Sequence, residues 1–440
     1  MTWVAPLGVL IALVLIIFLA MKGFNILVIG PLCSLIVILT NQMDVFGALF
    51  TGPSSYMAGT ANFIASYFII FLLGSILGKY MEESGAARAI ANYFLKLTGK
   101  EKPFAVLIAI YFICVFMTYG GISCFVVFFV VIPLVRPIFK ELNISWKLLS
   151  IPAMLGTGTV TMTMLPGTPS LQNVVPTQTL GTTLTAAPLV GIVASLAAFF
   201  YGLWYMKREL KKSFANNEGY DEPDKNEQIV VGEGCQGPGS GISLAPLLTL
   251  IFLIIVGSIL KVTNIIIIGL LASVLVVALL LRRYIKDHKA VINSGAQGSI
   301  GPVFFTAATV GFGVVVTAAP GFKVISDYIL NMPGNPLISL SVATSLMALI
   351  TGSATGSIGI IIPTFADVYL SMGISPEAIH RVAAIASGTL GAMPHCGVVL
   401  TYFALTGLNH KNSYKHIFMT MVVGNTIALI AALVTAIAIY

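Results

Sequence analysis

Charge is what this sequence has least of: Asp, Glu, Lys and Arg make up 9% of its 440 residues. Soluble globular chains carry about 25%, so that class is excluded. Cysteine is sparse as well. Cys33, Cys114, Cys124, Cys235 and Cys396 show no metal-ligand or redox spacing, and all but Cys235 lie in or beside apolar runs, as reduced packing residues do. No nucleophile motif, metal cluster or phosphate loop stands out, which argues against an enzyme and against a bound cofactor. The first apolar run, at 3–21, has no basic stretch ahead of it and no small-residue cleavage site after it. It is expected to be a retained helix rather than a signal peptide. The net charge of +7 comes from basic residues scattered between apolar runs, a pattern of lipid-facing bias rather than of nucleic-acid binding.

What the chain has in abundance is apolar sequence, 57% of it. Counted in spans of roughly 20 residues, about ten membrane crossings fit. Full spans are expected at 3–21, 24–40, 64–78, 184–206, 244–260, 265–281, 301–319 and 417–439. Between them lie runs too short to cross, at 104–117, 122–135, 337–350 and 358–366. These pair into two re-entrant hairpins, at 103–140 and 335–371, each turning on a small polar tip such as Tyr119-Gly120-Gly121. Two further spans, 146–180 and 377–408, are interrupted by Gly, Thr and Pro at 156–170 and by Ser387-Gly-Thr-Leu-Gly-Ala-Met-Pro-His-Cys-Gly397.

An offset of 230 superposes the halves. Ser353, Pro363, Ile374, Ser375, Ala383, Gly388, Thr389 and Gly397 then fall on Ser123, Pro133, Ile144, Ser145, Ala153, Gly158, Thr159 and Gly167 without a gap. The chain therefore reads as an all-α polytopic membrane protein of two repeats, 1–206 and 243–440, with a solvated cytoplasmic linker at 207–242. Each repeat has about five spans, one hairpin and one broken helix; an odd number of crossings inverts the second repeat. With both termini outside, all of the 23 Lys and Arg except Lys261, Lys323 and Arg381 fall on the cytoplasmic side.

Interrupted helices mark a ligand site, because unpaired backbone at membrane depth survives only inside protein or along a cavity. The two breaks and two hairpin tips define one candidate site for a small oxygenated anion. Its expected substrate residues are Thr118, Gly121, Ser123, Thr157, Thr159, Gly167, Thr168 and Asn173 from the first half, and Thr351, Ser353, Thr355, Ser387, Thr389 and His395 from the second. Thr161, Thr163 and Ser357 belong to the same hydroxyl clusters. Close helix packing is the competing explanation for any one of these small residues. Gln172 and Asn173 either bind substrate or cap a half-helix. His395, the only titratable side chain in either break, is a candidate proton carrier or carboxylate partner, with a structural hydrogen bond as the alternative. No acid lies in the tips or breaks, so a carboxylate relay is not evident and a cation/proton antiporter ranks second.

At Ser84-Gly-Ala-Ala-Arg-Ala-Ile-Ala, Thr351-Gly-Ser-Ala-Thr, Gly373-Ile-Ser-Pro-Glu and Pro394-His395, the sequence resembles the gluconate permease (GntP-type) family of the ion-transporter superfamily, nearly end to end. The resemblance implies a symporter of the bacterial cytoplasmic membrane, coupled to H+ or else Na+, that imports sugar acids or short hydroxy acids. It also implies a homodimer with an elevator motion. Gluconate-type members usually carry a Glu in the first hairpin turn, a His-rich first break and Asn-Asp in the second. Here Thr118-Tyr-Gly-Gly, Leu165-Pro-Gly-Thr-Pro and Pro394-His-Cys stand instead, which looks more like the branch associated with 3-hydroxybutyrate.

Overall fold

The computed structural model describes residues 3–22, 24–87, 89–90, 93, 102–122, 124–221, 238–260, 262, 264–330, 332–394 and 396–440. Every regular element among them is helical. Apolar runs in lipid have no other way to pair their backbone groups. Among the described residues, five helices are long and apolar enough to cross a membrane: Gly47–Glu83, Pro188–Ala215, His288–Ala318, Ala354–Ser371 and Tyr414–Ile439. Local chemistry sets the helix ends. Ser55, Asp287, Asn335 and Ser353 cap N-termini with their side chains, and Pro103, Pro188, Pro336 and Pro376 occupy first turns.

Helices Val4–Met21, Ile26–Thr40, Tyr56–Glu83, Ser240–Ile259, Ile265–Leu280, His288–Ala318 and Pro320–Leu330 pack mainly with one another. At their centre Tyr56–Glu83 and His288–Ala318 run antiparallel: Gly311 faces Tyr56 at one end, and Gly295 faces Ile76 at the other. A Cβ on Gly295 would stand 2.8 Å from Ile76 Cα, so the small residue permits the contact. The two hairpins, the two broken spans and helices Pro188–Ala215 and Gly424–Ile439 form the other cluster. Three helices, a hairpin, a broken span and a last long helix thus follow one another in 4–215, and the same elements follow in 240–439, with Pro320–Leu330 inserted before the hairpin. Of the corresponding stretch at 85–95, residues 88, 91, 92, 94 and 95 lie outside the described residues.

Three features differ from the expectation. The hairpin arms, Pro103–Tyr119, Cys124–Glu141, Pro336–Thr351 and Ala354–Ser371, are longer than their apolar runs because the helices continue through polar ends. The first break is shorter than 156–170. Residues Gly156–Met164 stay helical as a π-helix, and the chain leaves the helix only at Leu165. There Thr157, Thr159 and Thr163 donate to the carbonyls of Ala153, Leu155 and Thr159, satisfying locally what the sequence reading took for breakers. Pro166, Gly167 at φ +80 and Pro169 make the actual interruption.

The linker differs too. Helix Pro188–Ala215 continues well past residue 207, and the partly exposed chain that leaves it is fastened to the neighbouring turn. Asp221 Oδ1 accepts from Ser145 Oγ at 3.2 Å and Trp146 N at 3.1 Å, and Lys147 pairs with Glu218 at 2.9 Å. That bonded ammonium holds the Glu218 carboxyl below its ordinary value. Residues 222–237 lie outside the described set.

Candidate functional site

A cavity of about 440 Å³ lies along the seam between the two helix clusters. One wall belongs to Tyr56–Glu83 and His288–Ala318, through Ile70, Ser75, Lys79, Ser294, Gly298 and Thr306. The opposite wall brings together both hairpin tips (Thr118, Gly121, Ile122; Ser353, Ala354, Thr355) and both interrupted spans (Thr157, Thr161, Ser170, Gln172; Gly388, Gly391, Cys396). From Ile70 to Glu82 the cavity follows the helix for about 18 Å at ~1.5 Å per residue. It is therefore a passage, with its charged residues, Lys79 and Glu82, at one end. Lys79 pairs there with Glu82 at 3.1 Å and Glu83 at 3.0 Å.

Four helices begin on this cavity. Cys124, Leu171, Ala354 and Val398 stand in the first turns of Cys124–Glu141, Leu171–Leu180, Ala354–Ser371 and Gly397–Thr406, and all four line it. Each N-terminus carries roughly half a positive elementary charge on its exposed N–H groups. Their convergence makes the inner end of the passage electropositive without a fixed cation among the described residues, an arrangement suited to a carboxylate or phosphate.

Of the residues expected at a site, Thr118, Gly121, Thr157, Ser353 and Thr355 line the cavity. Ser123 and His395 lie outside the described residues. The remainder support the walls from behind. Thr159 donates to Leu155 O at 2.5 Å, Thr351 to Met347 O at 2.9 Å and Ser387 to Ala384 O at 2.7 Å. Thr389 donates to Ser345 Oγ at 2.7 Å. Gly167 N donates to Leu184 O at 2.9 Å, and Thr168 lies 3.1 Å from Ser170 Oγ. Asn173 donates to the carbonyls of Thr168 and Leu184, closing the loop that follows the first break.

Sequence reasoning missed the groups that hold this arrangement together. Arg381, expected on the outer side, is completely buried. Its guanidinium donates to Ala186 O at 2.8 and 3.0 Å, Leu184 O at 3.2 Å and Met164 O at 3.3 Å. The neighbouring His380, also fully buried, places Nε2 at 2.9 Å from Asn173 Oδ1 and Nδ1 at 2.7 Å from Thr182 Oγ1. The tautomer protonated on Nε2 satisfies both contacts. The second half thereby grips the first break. The grip is reciprocated, since Trp146 Nε1 donates to Thr406 O at 2.9 Å and Ser150 Oγ meets Ser413 Oγ across the halves. A charge inside an apolar helix, at Arg381 beside Val382-Ala-Ala-Ile-Ala386, was the available signal.

Two thiols, Cys124 and Cys396, line the cavity, whereas Cys33 and Cys114 are fully enclosed. In a Cys235→Ser background, a small charged methanethiosulfonate reagent is expected to label the first pair and spare the second, as read by mass spectrometry of the membrane-inserted protein. Labelling of Cys33 and Cys114 as fast as of Cys124 and Cys396 would contradict this passage.

Comparison with known proteins agrees with the architecture. A family model described as GntP family permease matches residues 2–439. An uncharacterized transporter, YxjC of Bacillus subtilis (strain 168), is 33% identical over 476 aligned residues, covering 98% of each chain. A gluconate permease of Zymomonas mobilis is 32% identical over 206 residues, covering 45% of this chain and 44% of that one. The fold is similar to the crystal structure of the Alcanivorax borkumensis YdaH transporter, with a TM-score of 0.52 at 15% identity, over 86% of this chain and 87% of that one. A multi-pass membrane transporter rather than an enzyme, the chain belongs to the GntP permease family.

Proposed function

We propose that this permease is a cation-coupled symporter that imports a small hydroxy-carboxylate, such as 3-hydroxybutyrate or gluconate, through the cavity between the helix clusters. The observation that carries the reading is the convergence of four helix N-termini on a cavity with no fixed cation at its inner end. Such a site neutralises one carboxylate and leaves the hydroxyl-bearing walls to bind the rest of a small polar substrate. The name of the Zymomonas mobilis relative adds gluconate to the candidates.

The finer architecture belongs to the same proposal. Two inverted repeats, split by a linker, place both termini outside and the Lys79 end of the passage at the cytoplasmic face of a bacterial inner membrane. The cavity then opens inward. The hairpins and broken spans move as a carrier against the cluster containing Tyr56–Glu83, an elevator in a homodimer. The coupling ion is a proton or sodium, held by hydroxyls and carbonyls or by His395. An antiporter is less favoured because Glu82, the carboxylate among the described lining residues, is already paired at the mouth.

Purified protein in proteoliposomes tests this directly, with labelled 3-hydroxybutyrate and gluconate and with pH and sodium gradients imposed separately. Accumulation driven by one of the gradients is expected. Absence of organic-anion flux under either gradient would sink the proposal.

A further inference from the structure

Most cavity hydroxyls in the first half are already committed. Thr118 donates to Cys114 O, Thr157 to Ala153 O, Thr161 to Gly156 O and Ser170 to Met162 O. One polar pair on the lining differs. Gln172 Nε2 donates to Thr355 Oγ1 at 2.9 Å, across 183 residues of sequence, joining the half-helix after the first break to the tip of the second hairpin. Gln172 is 1% exposed and Thr355 8%. Among the described residues this is the one side-chain hydrogen bond of either group, so Gln172 Oε1, which faces the cavity rather than being sealed in the wall, and the Thr355 hydroxyl proton are left without a protein partner. The pair therefore presents one spare acceptor beside one spare donor.

We propose that Gln172 and Thr355 form the subsite that reads the hydroxyl of the transported hydroxy-acid. A hydroxyl is the simplest group that gives and takes one hydrogen bond at once, to Gln172 Oε1 and from Thr355 O–H. Each residue also sits in the first turn of a helix that begins on the cavity, so a carboxylate at the helix ends would carry its hydroxyl to this pair. A deoxy-acid would leave both groups unpaired, and a pair so buried makes that loss count. The substrate class that follows is a monocarboxylate bearing a hydroxyl near the carboxyl group. The inference rests on the organic-anion reading above.

Uptake of 3-hydroxybutyrate and of butyrate is measured side by side in proteoliposomes, normalised to inserted protein. The native chain is expected to favour the hydroxy-acid by at least about 10-fold in kcat/KM, the worth of one hydrogen bond to a buried pair. In Gln172→Leu and Thr355→Val that ratio collapses toward one, while Thr355→Ser, which keeps the hydroxyl, restores it. A ratio is independent of how much variant protein folds. Equal transport of both acids by the native chain, or a preference that survives both substitutions, overturns the subsite and leaves the anion reading standing. No flux of either acid overturns the subsite, and absence of gluconate flux as well overturns both readings.

Discussion

Replacing Arg381 by methionine is expected to abolish transport, with lysine in its place retaining only a small part. The guanidinium supplies four donations to three carbonyls in a fully buried place, fixing Met164 at the end of the π-helix and Leu184 and Ala186 ahead of Pro188–Ala215. Methionine keeps most of the volume and removes every donor. Leu184 O keeps its donors Gly167 N and Asn173 Nδ2, but at about 1 to 3 kcal/mol for each buried acceptor left unpaired, Ala186 O and Met164 O together cost about 2 to 6 kcal/mol, a large share of the stability of many domains. Glycine makes repair by repacking difficult, because Gly191 already stands so close that a Cβ there would be 2.4 Å from Met164 O and 3.3 Å from the arginine Cδ. Lysine restores the charge and some donors but not the planar fork that reaches carbonyls from two loops. Uptake per inserted molecule and the detergent-solubilised Tm are the two measurements. A methionine variant that transports at near the native rate would show that the grip between the halves is dispensable.

How far the sequence could lead is clearest at the broken spans. Pro and Gly at Leu165-Pro-Gly-Thr-Pro169 and at 387–397 announce backbone that cannot stay helical, and the apolar runs on either side identify the half-helices. That is enough to group Thr118, Gly121, Thr157, Ser353 and Thr355, which line one cavity in the structure. Periodicity and hydropathy are one-dimensional signals, and three kinds of fact escape them. Thr157 and Thr159 both donate to their own helix and look alike in sequence, yet only Thr157 stands on the cavity wall. The second wall, from Ser75 and Ser294 to Thr306, lies on helices that hydropathy marks only as spans. The burial of Arg381 escapes the sequence because charge in a membrane protein is ordinarily found at the surface, and only a tertiary contact with the loop at 184–186 offers it carbonyls to bind.

The two glycines that the 230-residue offset pairs, Gly158 and Gly388, are expected to respond oppositely to the same substitution. Both line the cavity, and in both an added methyl group would be too close to its surroundings. At Gly158 the Cβ would meet Met421 Cε at 2.4 Å, the free end of a long unbranched side chain. Methionine changes rotamer easily, so Gly158→Ala should cost under about 1.5 kcal/mol and leave uptake within a few-fold of native. At Gly388 the Cβ would lie 2.9 Å from both Asn425 Nδ2 and Thr163 Cγ2. Neither can withdraw. Asn425 is fully buried and donates to Gly388 O at 2.7 Å, and Thr163 is β-branched with its hydroxyl held by Thr159 O at 3.0 Å. The methyl group must therefore push the end of helix Pro376–Ser387 away from the π-helix, at the crossing of the two interrupted spans. Overpacking of that kind costs about 1 to 3 kcal/mol and displaces the second break relative to the first. A misplacement on the order of 1 Å is enough to lose about 100-fold in a site that depends on position. Gly388→Ala should therefore lower kcat/KM for the transported anion by at least about 10-fold, half-way to that limit on a logarithmic scale, with Gly158→Ala as its control. Equal tolerance at both positions would mean that the halves do not meet at Gly388 in the transporting protein. Shortening Thr163 to serine, which removes Cγ2 and keeps the hydroxyl, should then recover part of the Gly388→Ala loss, because it clears one of the two obstacles and leaves the other.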